Sequence, residues 1–360
     1  MRVLHIINSL QVGGAETLLV NLVSALRESG CEVSIHALQR TDSVLEYRAK
    51  GIFSITFAEG RLRSPLQVDG LRRRLGWDDY DVIHVHLFPA QLWVPIALRT
   101  ARRRTLLITT EHSTHNHRRK ALLRPVDRWM YMQYAAIVCV SDAVQRSLQA
   151  WVPQTEGIVH VIPNGIPVSQ FGTATALTRE ALVGSGGGPI VLSVARFEEE
   201  KDHATLLRAM RRLEDAHLVL VGDGSTRPLV ESQVVSMGLK DRVHFLGRRS
   251  DVARIMKACD VYVQSSRWEG FSLSVVEAMA SGLPVVASAV PGLRETVGEA
   301  GILFPAGDDE RLAQELKRVL SNSAMREELR ERGFKRVVNF DISHTAQAHL
   351  TLYQRILQGS

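Results

Sequence analysis

Residues 267–287 read RWEGFSLSVVEAMASGLPVVA, and the run before them, Val261–Val263, is apolar and β-branched. A loop with Gly270 ends that run, a helix-compatible segment follows, and Ser281-Gly282 stops it before a second strand candidate, Pro284–Ala287. Strand, loop, helix and strand within so short a span make a βαβ unit, whose two strands must run parallel. Gly270–Ser274 would then present free backbone N–H groups at the positive end of a helix, where an anion docks. Ser274 and Glu277 also have the S-x-x-E spacing of a capping box, which would leave Glu277 a purely structural role.

The same alternation runs outward in both directions. Before this stretch the second half offers strands at Ile190–Val194, Leu218–Val221 and Val243–Leu246, and after it at Ile302–Phe304. The first half offers Val3–Asn8, Glu32–Ala37, Ile52–Phe57, Val82–Val85, Leu106–Thr109, Ala136–Val140 and Val159–Ile162, with helices between them such as Ala15–Arg27. That helix carries Leu18, Leu19, Leu22, Val23 and Leu26 on one face. Two Rossmann-like parallel sheets in tandem follow, an α/β fold. A chain of 360 residues also exceeds the ~250–300 that one core serves. The joint is expected at Pro163-Asn164-Gly165-Ile166-Pro167, dividing the chain into 1–166 and 167–340, with a last helix in 341–360. The glycine cluster at 184–188 precedes a strand instead of following one, so it reads as a surface connection and not a phosphate loop.

Composition removes several classes. With 45% hydrophobic and 23% charged residues the chain is neither disordered nor a polytopic membrane protein, and no run approaches eighteen apolar residues. Cys31, Cys139 and Cys259 are distant, odd in number and set in apolar runs, which fits buried thiols of a reducing cytoplasm better than a disulfide framework or a metal site. Residues 1–166 hold 20 Lys+Arg against 14 Asp+Glu, so the whole net charge of +6 lies there. Within 99–128, nine basic side chains (Arg99, Arg102, Arg103, Arg104, Arg118, Arg119, Lys120, Arg124, Arg128) face only Glu111 and Asp127. Such a patch suits nucleic acid, an anionic membrane or an acidic substrate, and nucleic acid is set aside because no RNP-type or helix-turn-helix signal accompanies it. In 117–136 basic residues interleave with Leu122, Leu123, Trp129 and Met130, the pattern of an interfacial helix or of a core helix with a solvated basic face. Arg118, Arg119, Lys120 and Arg124 are the candidate contacts to anionic lipid.

Glu269 and Glu277 enclose seven residues, with G-F-S-L between them and E-A-M-A-S-G-L-P-V-V-A after, and this resembles the donor-site signature of the family 4 glycosyltransferases. The resemblance implies a GT-B fold, two Rossmann-like domains facing across a cleft with the last helix crossing back to the first. It also implies retaining transfer from a nucleotide-diphosphate sugar, of UDP- or GDP-hexose type, to a glycan or lipid-linked acceptor in polysaccharide or glycolipid assembly. Carried onto these positions, Glu269 approaches the donor sugar and its phosphate end, the backbone of Gly270, Phe271, Ser272 and Leu273 meets sugar and diphosphate, and Glu277 holds the ribose. Arg196 and Lys201 match the family's diphosphate cations, and two fixed cations would stabilise the charge that develops on a departing diphosphate. A solvated set answering Glu198–Glu200 is the competing account. Asp202 stands where glycine is usual and would moderate the charge of Lys201. Gly13-Gly14 resembles the family's N-terminal glycine loop, Gly222-Asp223-Gly224 its turn near the nucleotide, and His112 the T-x-H histidine beside the sugar.

No cofactor or metal is expected. Asp78-Asp79 is poorly placed for a metal motif, and His112, His115 and His117 lack zinc-site spacing. His84 and His86 read as polar strand-end residues, His86 with a place in the acceptor cleft as its alternative. A cytoplasmic enzyme, peripheral on the membrane, is the expected setting. Another GT-B nucleotide-sugar enzyme such as an epimerase, an inverting transferase, or a non-catalytic relative are the alternatives.

Overall fold

The computed structural model describes every residue except 12, 75–78, 100–104, 117 and 360, so Asp78, Arg102, Arg103, Arg104 and His117 lie outside the described residues. The chain divides into a first domain, Met1–Gly165 with Ile342–Ser360, and a second, Ile166–Asp341.

In the first domain β1 (Arg2–Ile7), β2 (Glu32–Ala37), β3 (Ser54–Phe57), β4 (Val82–His86), β5 (Leu106–Glu111), β6 (Ala136–Cys139) and β7 (Val159–Val161) form one sheet in the order β3-β2-β1-β4-β5-β6-β7. Every pairing is parallel. Helices cover both faces of such a sheet, which is why its central strands read as nearly continuous apolar runs. The helix Gly14–Glu28 lays the expected stripe Leu18, Leu19, Leu22, Val23 and Leu26 inward. The last helix, Ile342–Gln358, belongs to this domain, where Ala346, Leu352 and Tyr353 join the cluster of Val3, Ile35 and Val82. Burying each large side chain there contributes about 1.5–3 kcal/mol.

In the second domain β8 (Ile190–Val194), β9 (His217–Val221), β10 (Val243–Gly247), β11 (Val261–Gln264), β12 (Val285–Ser288) and β13 (Ile302–Phe304) take the order β10-β9-β8-β11-β12-β13. The period of two along β8 divides its side chains between two cores: Ile190 and Leu192 join one, Val191 the other. The long amphipathic helix expected over 117–136 does not form. A 3-10 turn at Ala121–Leu123 leads into a helix of eight residues, Arg124–Tyr131, which Pro125 opens at its first turn.

Candidate active site

In an open parallel sheet, ligands settle beyond the carboxyl ends of the strands where the strand order reverses. In the second domain that place lies between β8 and β11. The loops leaving those strands are tied together there: Arg267 N donates to Glu200 O (2.7 Å), and Ser265 Oγ to Lys201 O (2.9 Å). Across the reversal, Lys201 Nζ meets Glu269 Oε1 and Oε2 at 3.0 and 2.7 Å, and the two side chains are only 13% and 11% exposed. Arg196 extends from the same loop with its side chain 61% exposed and bonds Glu200 Oε1 at 3.2 Å. The solvated account therefore describes Arg196 but not Lys201, whose partner comes from the opposite loop.

Asp202 makes no ion pair with Lys201 among the described residues. Its backbone is left-handed (φ 46°), which accounts for a glycine being usual there, and its buried carboxylate caps the helix His203–Met210. It accepts from Thr205 N at 3.4 Å and Thr205 Oγ1 at 2.7 Å, and lies 3.5 Å from Arg267 Nε.

The capping box drawn on Ser274 and Glu277 is not the one used. Ser272 caps the helix Leu273–Ala280, accepting from Val275 N, while the Ser274 hydroxyl accepts from Tyr262 OH at 2.8 Å. Glu277 thus falls in the second turn. Its carboxylate has no hydrogen-bond or ion-pair partner among the described residues, and burial pushes its pKa up to about 7. A carboxylate held without a partner at the edge of such a site suits a ligand that brings hydroxyl donors.

Not every named residue offers its side chain. Phe271 stands edge-on to Phe340 and, with Leu273, packs on the apolar core, so only the backbone of these two faces outward chemistry. Gly222 (φ 134°) is demanded by packing, because a Cβ there would overlap Ala195 O beneath the Arg196 loop. Gly292 plays the same part under the Glu269 loop, where a Cβ would overlap the carbonyl oxygens of Glu269 and Gly270. Pro291-Gly292 was its only visible signal, and it reads as an ordinary turn.

His112, Gly13 and Gly14 belong to the first domain, where the strand order reverses between β1 and β4. Asn8 joins the two loops there, donating to Phe88 O (2.7 Å) and accepting from Ala90 N (3.2 Å). Gly13 precedes the helix Gly14–Glu28 with extended backbone (φ −161°); a Cβ there would press on the Glu16 carboxylate, 2.5 Å away, at the end of a flexible side chain that would have to move, while the space around Gly14 is open. His112 follows β5. Its Nε2 is buried without a partner, and burial lowers its pKa to about 4, so the ring is neutral at pH 7.

Behind His112 lies a feature the linear reading did not find. His84 lies in the middle of β4 and His86 ends it, but both are buried instead of facing solvent, and they stack with 4.4 Å between ring centroids. Parallel register sets His5 of β1 beside His84, and its ring stacks on both; His349 of the last helix closes the column 5.6 Å from His84. His5 Nδ1 and His86 Nε2 share a hydrogen bond of 3.0 Å, and His84 bonds Tyr353 OH (2.6 Å) and Thr110 Oγ1 (2.7 Å). His5, His84 and His86 each bring a nitrogen within 4.8 Å of the others, yet their rings lie nearly parallel and both His84 nitrogens are engaged. Metal ligands converge their lone pairs, whereas these rings stack.

The basic patch is also partly consumed. Arg118 pairs with buried Asp127 at 2.5 Å and lies over the Phe88 ring, and Arg119 turns to Ser147 and Thr114 O. Lys120 and Arg124 remain at the surface.

Comparison with known proteins follows the same division. The family description "Glycosyltransferase Family 4" matches residues 12–170, and "Glycosyl transferases group 1" matches 177–336. The chain is 31% identical over 312 residues to a 2-deoxystreptamine glucosyltransferase of Streptomyces kanamyceticus, covering 80% of each protein. It is 31% identical over 361 residues to a phosphatidyl-myo-inositol mannosyltransferase of Mycobacterium leprae, covering 96% of this chain and 93% of that one. Among solved structures, Anabaena HepE in complex with UDP and glucose superposes with a TM-score of 0.85 at 20% identity, over 98% of this chain and 99% of that one.

Proposed function

Because the chain belongs to the family 4 glycosyltransferases, with their GT-B fold, we propose that its second domain holds a UDP- or GDP-hexose and its first domain a glycan or lipid-linked acceptor, and that transfer retains the anomeric configuration. The observation that carries this reading is the Lys201–Glu269 pair at the strand-order reversal, with Arg196 beside it and the N-terminus of the helix Leu273–Ala280 behind. The donor diphosphate draws Lys201 and Arg196 to its oxygens, and the Gly270–Leu273 N–H groups supply further positive charge. The C1–O bond to phosphate breaks, the leaving oxygen takes the proton of the acceptor hydroxyl, and the new C1–O bond forms on the same face. These cations and helix dipoles stabilise the departing diphosphate without a metal. Neutral His112 meets a sugar hydroxyl through its buried Nε2. The names of the two relatives, a glucosyl- and a mannosyltransferase, support a hexose donor.

Glu277 separates this reading from a structural one. If its carboxylate accepts from the ribose hydroxyls, affinity for the nucleoside diphosphate rises between pH 6 and 8, as the group ionises around its pKa of about 7. Glu277→Gln is expected to weaken UDP or GDP binding about tenfold and to flatten that rise, whereas Glu269→Gln chiefly slows transfer. Titration calorimetry at the two pH values checks this, and unchanged nucleotide affinity in Glu277→Gln removes the assignment.

The enzyme acts in the cytoplasm, at the membrane surface. No helix among the described residues is long and apolar enough to cross a membrane. What supports a peripheral contact is the segment 120–132, which exposes Leu122 (89%), Leu123, Val126 and Met132 beside Lys120, Arg124 and Arg128. Arg118 and Arg119, turned inward, drop out of that contact. Vesicle sedimentation should show binding that grows with anionic lipid, weakens with salt and falls in a variant with Leu122→Ser and Arg124→Ser. Equal, negligible binding to neutral and anionic vesicles at low salt counts against it.

A further inference from the structure

Three guanidinium groups stand on the loops that leave β2 and β3: Arg40, three residues past Ala37, and Arg61 and Arg63, shortly past Phe57. All three are exposed, and none pairs with a carboxylate among the described residues. Of the acids nearby, Glu46 accepts from Thr41 N and Lys50 Nζ and Asp69 faces Arg72, while Asp42 and Glu59, which share these loops, make no ion pair with the three arginines. Unpaired like charges repel and are costly to hold together unless something offsets them.

These loops are also fastened. Gln67, buried, donates from Nε2 to Leu38 O (3.3 Å) and Arg61 O (3.4 Å), which ties the β2 loop to the β3 loop. Trp93 Nε1 donates to Leu62 O (3.2 Å), between the two arginines. Ser43 Oγ donates to Leu10 O, which joins the β2 loop to the segment leading into Gly13-Gly14. Arg40 lies over the Phe57 ring at 4.7 Å, which restricts its swing. β2 neighbours β1 and β3 lies outside β2 at the end of the sheet, so the three cations and the glycine loop lie along one carboxyl edge, the edge at which such sheets bind ligands.

We infer that Arg40, Arg61 and Arg63 hold an oxyanion carried by the acceptor, a phosphate or a carboxylate set apart from the hydroxyl that receives the sugar. This rests on the reading that the acceptor meets the first domain. The planar fork of a guanidinium matches both oxyanions with two parallel hydrogen bonds, which lysines in these places would not offer.

The test uses the whole enzyme saturated with UDP or GDP, which keeps the donor site from taking the probe. Inorganic phosphate and, separately, glucuronate are titrated in, the two arms distinguishing a phosphate from a carboxylate. Wild type should bind at least one of them, and the triple variant Arg40→Ser, Arg61→Ser, Arg63→Ser should bind it at least tenfold more weakly with unchanged melting temperature and nucleotide affinity. Lysine at the three positions should restore only part of the affinity. Equal affinity in wild type and triple variant, or no binding of either probe to wild type, overturns the inference. Should the nucleotide itself fail to bind, the donor reading is what fails, and the same comparison made without nucleotide still decides the oxyanion site.

Discussion

Replacing Lys201 by alanine is expected to lower turnover about 10²–10³-fold, since removing one preorganised donor to a developing oxyanion costs roughly 3–4 kcal/mol. Arg196→Ala should lose turnover on the same scale. The two variants part in stability. Arg196 is mostly solvated, so its loss leaves the melting temperature unchanged, whereas loss of Lys201 removes the cation that faces a Glu269 carboxylate only 11% exposed. Breaking a fully buried ion pair from one side costs about 3–5 kcal/mol, and the solvent contact and remaining interactions of Glu269 reduce this to about 1–3 kcal/mol. Steady-state kinetics beside thermal melts check both parts. Near-full activity in both purified variants would reject the diphosphate assignment.

Acid is expected to unfold the first domain well before ordinary carboxylate titration would. Burial, reinforced by neighbouring rings, holds His84 and His86 well below the usual imidazole range and lowers His5 to about 3, and burial alone, against a hydrogen bond to Thr345 O, lowers His349 to about 4. The groups facing the column are His112 from the β5 end, Thr110 from β5 and Tyr353 from the last helix. The folded values lie below the unfolded value of about 6.5, so below that pH the unfolded chain binds more protons than the folded one. The stability these rings contribute is complete above about pH 6.5 and is lost as pH falls towards the folded values. Each ring removes about 1.4 kcal/mol per pH unit in that window, and four buried rings together about 5 kcal/mol, a large share of an ordinary domain's 5–15 kcal/mol. Of the five tryptophans, Trp77, Trp93, Trp129 and Trp151 precede residue 166, so fluorescence follows mainly this domain. Its urea midpoint should fall steeply between pH 7 and pH 5; a flat midpoint over that range would show that the column tolerates protons.

Both sheets were legible because parallel strands buried on two faces leave long apolar runs that turn residues delimit. β2, β8 and β13 fall on the residues that pattern marks, and the other strands differ by a residue or two at their ends. β5 runs on to Glu111 past the apolar run because its polar end is paired inside: Thr110 with His84, and Glu111 with Gln91 and Tyr131. Features that depend on which strands become neighbours were not legible. His5 is 79 residues from His84, and only the register of β1 against β4 reveals that they stack. Local spacing misled where several partners compete: Ser272 took the cap that Ser274 seemed to own, and Arg118 and Arg119 found Asp127 and Ser147 instead of solvent. Gly292 shows the same limit, since nothing near it in sequence says that the Glu269 backbone will lie against it.

The most direct measurement of the central claim follows the anomeric proton by NMR while the enzyme, in EDTA, is given UDP-, GDP- and ADP-hexoses in turn, with sugar released to water or acceptor read before it can mutarotate. The account predicts that a UDP- or GDP-hexose is consumed, that the first-formed product keeps the anomeric configuration of the donor, and that EDTA does not slow the reaction. A first-formed product of inverted configuration, or transfer that stops in EDTA and returns with magnesium or manganese, would contradict it.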